Sequence, residues 1–362
     1  MKVKLSEVSW GFTKNIAQKD LDNNNGCYPI YGASGYIKNI NFYISDKPYI
    51  GIVKDGSGVG RVNIYPAYSS LLGTMQYVVP NDNMDIAYLM YALRYMKLGS
   101  LYSGAAIPHI YYKNYQRNEL NYREKNEQKS ISTQLTQIEN AILVCNAKII
   151  ALDELVKSRF IEMFVEKGFK EITFSDYAEI IDGDRGKNYP KAEEFSDEGY
   201  CLFLSAKNVT KDGFLFEQMQ FISEEKDNLL RKGKLCRGDI VITTRGTIGN
   251  IAFYDDIPYD NVRINSGMVI IRQKEVSFNQ IFFLNAFKNK IDEIKETNVT
   301  GAAQPQLPIH IMSKIKLLNP PIELQNDFAD FVKLIDKSKF IVQKQIDDLQ
   351  ELLDSKMDEY FG

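Results

Sequence analysis

The segment QKSISTQLTQIENAILVCNAKIIALDELVKSRFIEMF, residues Gln128–Phe164, decides the fold, because the chain contains it twice. The second copy, QNDFADFVKLIDKSKFIVQKQIDDLQELLDSKMDEYF, occupies Gln325–Phe361 at an offset of 197 residues (128 to 325) with no gap. Ile138, Ile149, Leu152, Glu154, Leu155, Ser158, Glu162 and Phe164 recur as Ile335, Ile346, Leu349, Glu351, Leu352, Ser355, Glu359 and Phe361. Ile131, Leu135, Ile138, Ile142, Cys145, Ile149, Leu152, Val156, Phe160 and Met163 alternate spacings of four and three, with one slip near the end, and their counterparts keep that phase. This is a heptad seam, the pattern that buries one stripe of a helix against another helix. Lys339 is the single polar residue among the counterparts and is expected at the edge of the seam, its ammonium reaching out to water. At about 1.5 Å rise per residue, each copy makes a rod roughly 55 Å long. Equal register points to the two copies pairing with each other. Antiparallel pairing is expected, since a parallel pair would put both globular regions at one end.

The 362 residues suffice for two or three domains, and 44% hydrophobic with 25% charged residues is a globular composition. No uninterrupted apolar run approaches the ~18 residues of a membrane span, and MKVKLSEVSW has no apolar signal core, so no membrane association is expected. Four cysteines without paired spacing and two histidines argue against a disulfide framework or zinc cluster and make the cytoplasm the expected compartment. The net charge of −3 is unevenly spread: residues 1–121 carry +4, 122–170 +1, 171–318 −3 and 319–362 −5. Any contact with nucleic acid must therefore rest on local clusters rather than a global field.

Outside the helices the chain also repeats its plan. Residues 1–121 are rich in Tyr, Ile, Val and Gly, in short runs broken by turn residues, which predicts a compact, mostly β region. A helix over 85–98 should pack on its sheet. Residues 171–318 follow the same order: Phe174-Ser175-Asp176-Tyr177 stands for Leu5-Ser6-Glu7-Val8, and DIVITTRGTIGNIAFY (239–254) for the stretch ending at Tyr65. The loop SGAAIPHI (103–110) returns as TGAAQPQL (300–307) at the helix offset. The chain divides into 1–123, a helix over 124–168, a second globular region over 169–318 and a second helix over 319–362. Helices are shared and globular regions diverge, as expected if the helices set a spacing while the globular regions read two different things.

Motifs for catalysis are missing. Gly56-Ser57-Gly58-Val59-Gly60-Arg61 has the glycines of a phosphate loop but no Gly-Lys-Ser/Thr ending, and strand-like residues follow, so a hairpin turn is expected. Asn319-Pro320-Pro321-Ile322 lacks the aromatic of the methyltransferase Asn-Pro-Pro loop, and its prolines suit the start of a helix. His109 and His310 have no acid or nucleophile at a recognisable spacing and read as loop or core histidines. No catalytic residue or metal ligand is assigned.

The order of motifs resembles the specificity subunits of type I restriction–modification systems. The stretches that carry it are Tyr31-Gly32-Ala33-Ser34-Gly35-Tyr36, Ser205-Ala206-Lys207-Asn208-Val209 before Asp212-Gly213, and Gly238-Asp239-Ile240-Val241 with Arg245-Gly246-Thr247-Ile248-Gly249. The Gly-Ala-Ala-Gln-Pro-Gln loop before Pro-Pro-Ile-Glu-Leu-Gln completes the set. The first half departs from it, with Ile107 where Gln304 stands and Tyr122-Arg123-Glu124 where Asn319-Pro320-Pro321 stand. The resemblance implies an α+β fold: two β-rich target-recognition domains separated by a pair of long antiparallel coiled-coil helices, an internal pseudo-two-fold duplication. It implies a non-catalytic subunit that reads a bipartite site in double-stranded DNA and recruits two adenine-methylating modification subunits and restriction subunits. S-adenosylmethionine, ATP and Mg would then reside on those partners, with no cofactor on this chain.

Base edges call for side chains that can enter a groove. The expected DNA contacts are Ser34, Tyr36, Lys54, Arg61, Tyr111, Tyr112 and Lys113 in the first domain. In the second they are Arg185, Lys187, Lys207, Asn208, Arg245, Thr247, Arg263, Gln304 and Gln306. The acidic total and the heptads also suit a different molecule, a coiled-coil protein-interaction scaffold with two β-rich binding modules. The Lys/Arg-bearing and aromatic loops of both domains favour DNA.

Overall fold

A computed structural model describes residues 1–101, 108–211, 213–255, 257–274, 278–298 and 307–362. The chain forms two compact units: Met1–Ile149 with Ile341–Gly362, and Ile150–Phe340. Each long helix thus gives one of its halves to each unit.

In unit 1 a four-stranded antiparallel sheet runs Ser9–Phe12, Met75–Pro80, Tyr49–Val53, Val62–Tyr65 in spatial order. The central strand YIGIV is buried at every residue because both faces are covered. Ile50 and Ile52 face a core with Tyr88, Leu89 and Leu93 of the helix Ile86–Tyr95, while Tyr49 and Val53 pack with Leu71 and Tyr77. A smaller sheet runs Gly35–Ile40, Tyr28–Gly32, Ser70–Leu71, its last pair parallel. A short antiparallel ladder joins Lys2–Lys4 to Glu119–Asn121, just before the first long helix.

Unit 2 repeats this topology where sequence alone shows little likeness. Its four-stranded sheet runs Ala178–Asp182, Met268–Gln273, Asp239–Thr243, Ile251–Tyr254. Its smaller sheet runs Phe221–Ile222, Cys201–Leu204, Val262–Ile264, again with one parallel pair. Glu171–Thr173 and Lys316–Leu318 form the short ladder before the second long helix. The helix Gln280–Asn298 takes the place of Ile86–Tyr95, and Phe282, Phe283 and Phe287 fill the core beneath it.

The long helices span Lys125–Phe160, with a final π turn at Ile161–Val165, and Ile322–Phe361. They pair antiparallel inside each unit. In unit 1 Tyr360 donates from its hydroxyl to Gln134 Oε1 (3.0 Å), and Phe361 packs on Tyr88 with ring centroids 5.0 Å apart. In unit 2 Phe160 and Phe164 meet Phe328 edge to face, at 5.6 and 5.5 Å. Lys339 leaves the seam as its polarity requires, and its Nζ reaches Asp153 Oδ1 at 2.6 Å. The helix Lys125–Val165 is nevertheless long and apolar enough, by length and composition, to cross a membrane. The seam and the outward-facing Leu143, Val144 and Ile150 together raise its average hydropathy, although Asn146 and Lys148 interrupt any continuous apolar run.

One clamp recurs at the start of both long helices. Gln128, buried, accepts from Asp85 N–H (2.7 Å) and donates to Arg123 O (2.7 Å). Gln325, equally buried, accepts from Asn279 N–H (2.9 Å) and donates to Pro320 O (2.9 Å). Each clamp thus ties the cap of the sheet-covering helix to the first turn of a long helix. Gln128→Leu keeps the volume but strands an amide and a carbonyl, so a loss of about 1–3 kcal/mol is expected. Urea unfolding of the variant measures this, and a change under 0.5 kcal/mol would show the clamp to be dispensable.

Candidate nucleic-acid interface

The site in unit 1 grows from the hairpin turn between Tyr49–Val53 and Val62–Tyr65. Gly60 N–H closes it on Val53 O at 2.8 Å. Gly60 lies at φ +84, and a Cβ there would stand 2.2 Å from Gly99 N, so only glycine fits. The glycine-rich stretch is therefore a turn between strands, as its sequence predicts. Its edge is stitched to the segment that begins at Pro108: Gly56 N–H donates to Pro108 O (3.2 Å) and Ile110 N–H to Lys54 O (2.9 Å).

That stitching assembles a cluster the sequence did not display. His109 Nδ1 lies 2.7 Å from Asp55 Oδ1, and the Lys54 ammonium is paired with Asp55 Oδ2. Burial would raise the Asp55 carboxyl, but hydrogen bonds from Lys54 and His109 outweigh it and hold the group below its ordinary value. The reading of His109 as a histidine without an acid is corrected here: its partner is 54 residues away in sequence, and only the fold brings them together. His109 lies nearly parallel to the Tyr111 ring, with centroids 6.5 Å apart. Lys54 and Lys113 hold their ammonium groups 5.5 and 5.7 Å from the same ring centroid.

Around this cluster the expected contacts separate. Arg61, on the far side of the turn, donates to Ala33 O (3.0 Å), which brings exposed Ser34 and Tyr36 to the same rim. Arg61, Arg94 and Lys97 line an adjoining shallow groove, and none of its described lining residues is a carboxylate. Arg94 is spent on Glu139, Asn63 and Val62 O. Tyr111 and Lys113 are exposed. Lys54 is buried, with its charge on Asp55, and Tyr112 faces inward, donating its hydroxyl to Ser9 O at 2.8 Å. These two support the site rather than present themselves.

In unit 2 the matching turn has Gly246 and Gly249 at φ +76 and +77, and Leu307 N–H donates to Thr244 O (3.0 Å). Arg245 and Thr247 are exposed on it. Arg185 reaches the neighbouring Ser266 O at 3.1 Å, on a loop pinned by the buried carboxylate of Asp184. Backbone N–H groups of Gly186 (2.7 Å) and Arg231 (2.8 Å) hold that carboxylate below its ordinary value. Lys187 is exposed on this loop, and Lys207 lies exposed beside Gln218. Asn208 and Arg263 are corrected from contacts to supports. Asn208 is 2% exposed and bonded to Ser205, Leu215 and Gln218, and Arg263 is 5% exposed against Asp227, so neither reaches a base edge. Gln304 and Gln306 lie outside the described residues. Among the described residues no cluster of three or more His, Cys, Asp or Glu is placed to hold a metal ion.

Comparison with known proteins agrees with this architecture. A family model described as the type I restriction modification DNA specificity domain matches twice, over residues 1–154 and 166–351. The type I restriction enzyme MjaVIII specificity subunit of Methanocaldococcus jannaschii is 26% identical over 347 residues, covering 88% of this chain and 80% of the relative. The putative MjaX specificity subunit of the same organism is 23% identical over 317 residues, covering 81% and 72%. Among solved structures, the type I restriction–modification S subunit from M. genitalium superposes with a TM-score of 0.56 at 18% identity, covering 100% of this chain and 96% of its own. A chain from a study of assembly and conformational transition in a type I system gives 0.62 at 12% identity, covering 99% and 97%.

Proposed function

The chain belongs to the type I restriction–modification DNA specificity family, and from that premise we propose that it reads a bipartite DNA site and recruits the subunits that act on it. Unit 1 reads one half-site and unit 2 the other, and helix length sets the number of unspecified base pairs between them. One observation carries this reading. The two units share a topology and a stitched hairpin turn, yet present different side chains on it: Asp55 with His109 in one, Arg245 and Thr247 in the other. A common scaffold with unlike tips suits two readers of unlike sequences. Arg61, Lys97 and Lys113, and Arg185, Lys187 and Lys207, supply the local positive charge that an acidic chain needs beside DNA phosphates.

The recruiting surface is the outward side of the helices. Leu143, Val144, Ile341 and Leu352 in unit 1 are exposed apolar residues outside the seam, as are Ile150, Leu155, Leu334 and Phe340 in unit 2. One such set per unit suits two copies of the modification subunit. The adenine methyl donor S-adenosylmethionine, and the ATP and Mg used in restriction, belong to the partners in this reading.

Reconstitution tests it. The purified chain alone should show no methyltransferase, nuclease or ATPase activity. Mixed with its modification subunit, it should form a complex holding two copies of that subunit and methylate adenines in one split sequence. A complex that forms and never binds DNA would favour the interaction scaffold instead.

A further inference from the structure

Two loops of unlike sequence hold the same place in the two units. In unit 1 Gly60 N–H closes the turn on Val53 O (2.8 Å), and Ile110 N–H caps Lys54 O (2.9 Å). In unit 2 Gly249 N–H closes it on Thr243 O (2.8 Å), and Leu307 N–H caps Thr244 O (3.0 Å). The next residue is Asp55 in the first and Arg245 in the second, opposite in charge at one structural position.

We propose that His109, oriented by Asp55, reads one base of the first half-site through its Nε2 atom, and that Arg245 reads the corresponding base of the second. The inference rests on the DNA-recognition reading above and adds which residues discriminate and which bases they select. An ionised carboxylate only accepts hydrogen bonds. With Asp55 on Nδ1, that nitrogen carries the ring proton, and in the neutral form of the ring Nε2 is the acceptor. The His109 side chain is 40% exposed, and its Nε2 has no hydrogen-bond partner among the described residues. The near-parallel Tyr111 ring limits its swing.

An acceptor presented in the major groove selects a base that offers an exocyclic amine, adenine or cytosine, over guanine or thymine, which offer a keto oxygen. Arg245 only donates, is exposed, and makes no hydrogen bond or ion pair with described residues, so it selects guanine through O6 and N7. In this scheme His109 is the discriminating residue and Asp55 a positioning residue that acts through it.

The test uses the full chain in complex with its modification subunits, with methylated sites mapped on a random-sequence library. His109→Ala should relax one position of the first half-site from amino bases to all four, with discrimination falling roughly tenfold, the size of one lost base-edge hydrogen bond. His109→Lys replaces the acceptor with a donor and should turn the same position toward guanine or thymine, an inversion no structural defect produces. Asp55→Asn should weaken discrimination at that position alone. Arg245→Ala should relax one guanine of the second half-site. Uniformly weaker methylation with an unchanged sequence, or no change at all in the His109 variants, would overturn the assignment while leaving DNA recognition intact. A wild-type complex that methylates no split sequence would overturn the recognition reading itself.

Discussion

Replacing Arg263 with alanine should cost unit 2 about 3 kcal/mol, the low end of the penalty for breaking a buried ion pair, because Lys234 still holds Asp227. Arg263 is 5% exposed, and its guanidinium pairs with Asp227, which is fully buried. It also donates to Lys232 O (2.7 Å), Asp227 O (2.9 Å) and Leu230 O (3.1 Å), tying the turn before Lys234 to the strand Val262–Ile264. Burial acts to raise the Asp227 carboxyl, but hydrogen bonds from Lys234 and Arg263 prevail and hold it below its ordinary value. A depressed carboxyl stabilises the fold fully above its unfolded value of about 3.9 and loses that contribution as pH falls through the lower, folded value. Wild-type unit 2 should therefore weaken in that acid range, and Asp227→Asn should flatten the dependence. The one tryptophan, Trp10, lies in unit 1, so its fluorescence follows that unit. Hydrogen exchange at Cys201–Leu204 and Val262–Ile264 follows the other. In Arg263→Ala those amides should exchange faster while the Trp10 transition moves little. A variant with wild-type exchange that no longer binds DNA would return Arg263 to the reading surface.

Exchanging residues 1–121 for the matching segment of a relative should change one half of the methylated sequence completely and leave the other half untouched. The two four-stranded sheets, the two smaller sheets and the two stitched turns are all internal to their own units. Among the described residues, Arg185 bonds Asp182 and Ser266, and the Arg245 turn is held by Thr243 O and Thr244 O, all within unit 2. The exchange must preserve the contacts made to the retained chain, above all Tyr88 on Phe361 and the Asp85 N–H on Gln128 Oε1. Sequencing methylated sites before and after the exchange measures the outcome. A change in both halves would mean that the units do not read independently.

The helices were legible because their signal is local. A heptad is complete within seven residues, and two copies at one offset remove the ambiguity that a single seam leaves. Turn glycines such as Gly60 and Gly249 were legible for the same reason. The smaller sheets were not, since each contains a parallel pair, Tyr28–Gly32 with Ser70–Leu71 and Cys201–Leu204 with Val262–Ile264, joined across long intervals that no short pattern encodes. The same distance concealed the Asp55–His109 pair. Sequence marks Lys54, Asn208 and Arg263 as polar and available, because composition shows that a side chain is charged and not whether the interior already satisfies it.

The division of the chain has a consequence for how it is made. Unit 1 consists of Met1–Ile149 and Ile341–Gly362, so the whole of unit 2 is translated between its two parts. While residues 150–340 are being made, Ile131, Leu135 and Tyr88 wait without Met357, Tyr360 and Phe361, which complete their core. Unit 2, continuous in sequence, can close as it emerges from the ribosome. Unit 1 cannot, and at ~5–20 residues per second its half-made seam stays open for roughly ten seconds or more. That interval is when another nascent chain of the same sequence could take the vacant place. The first unit to be synthesised is therefore the last to be sealed.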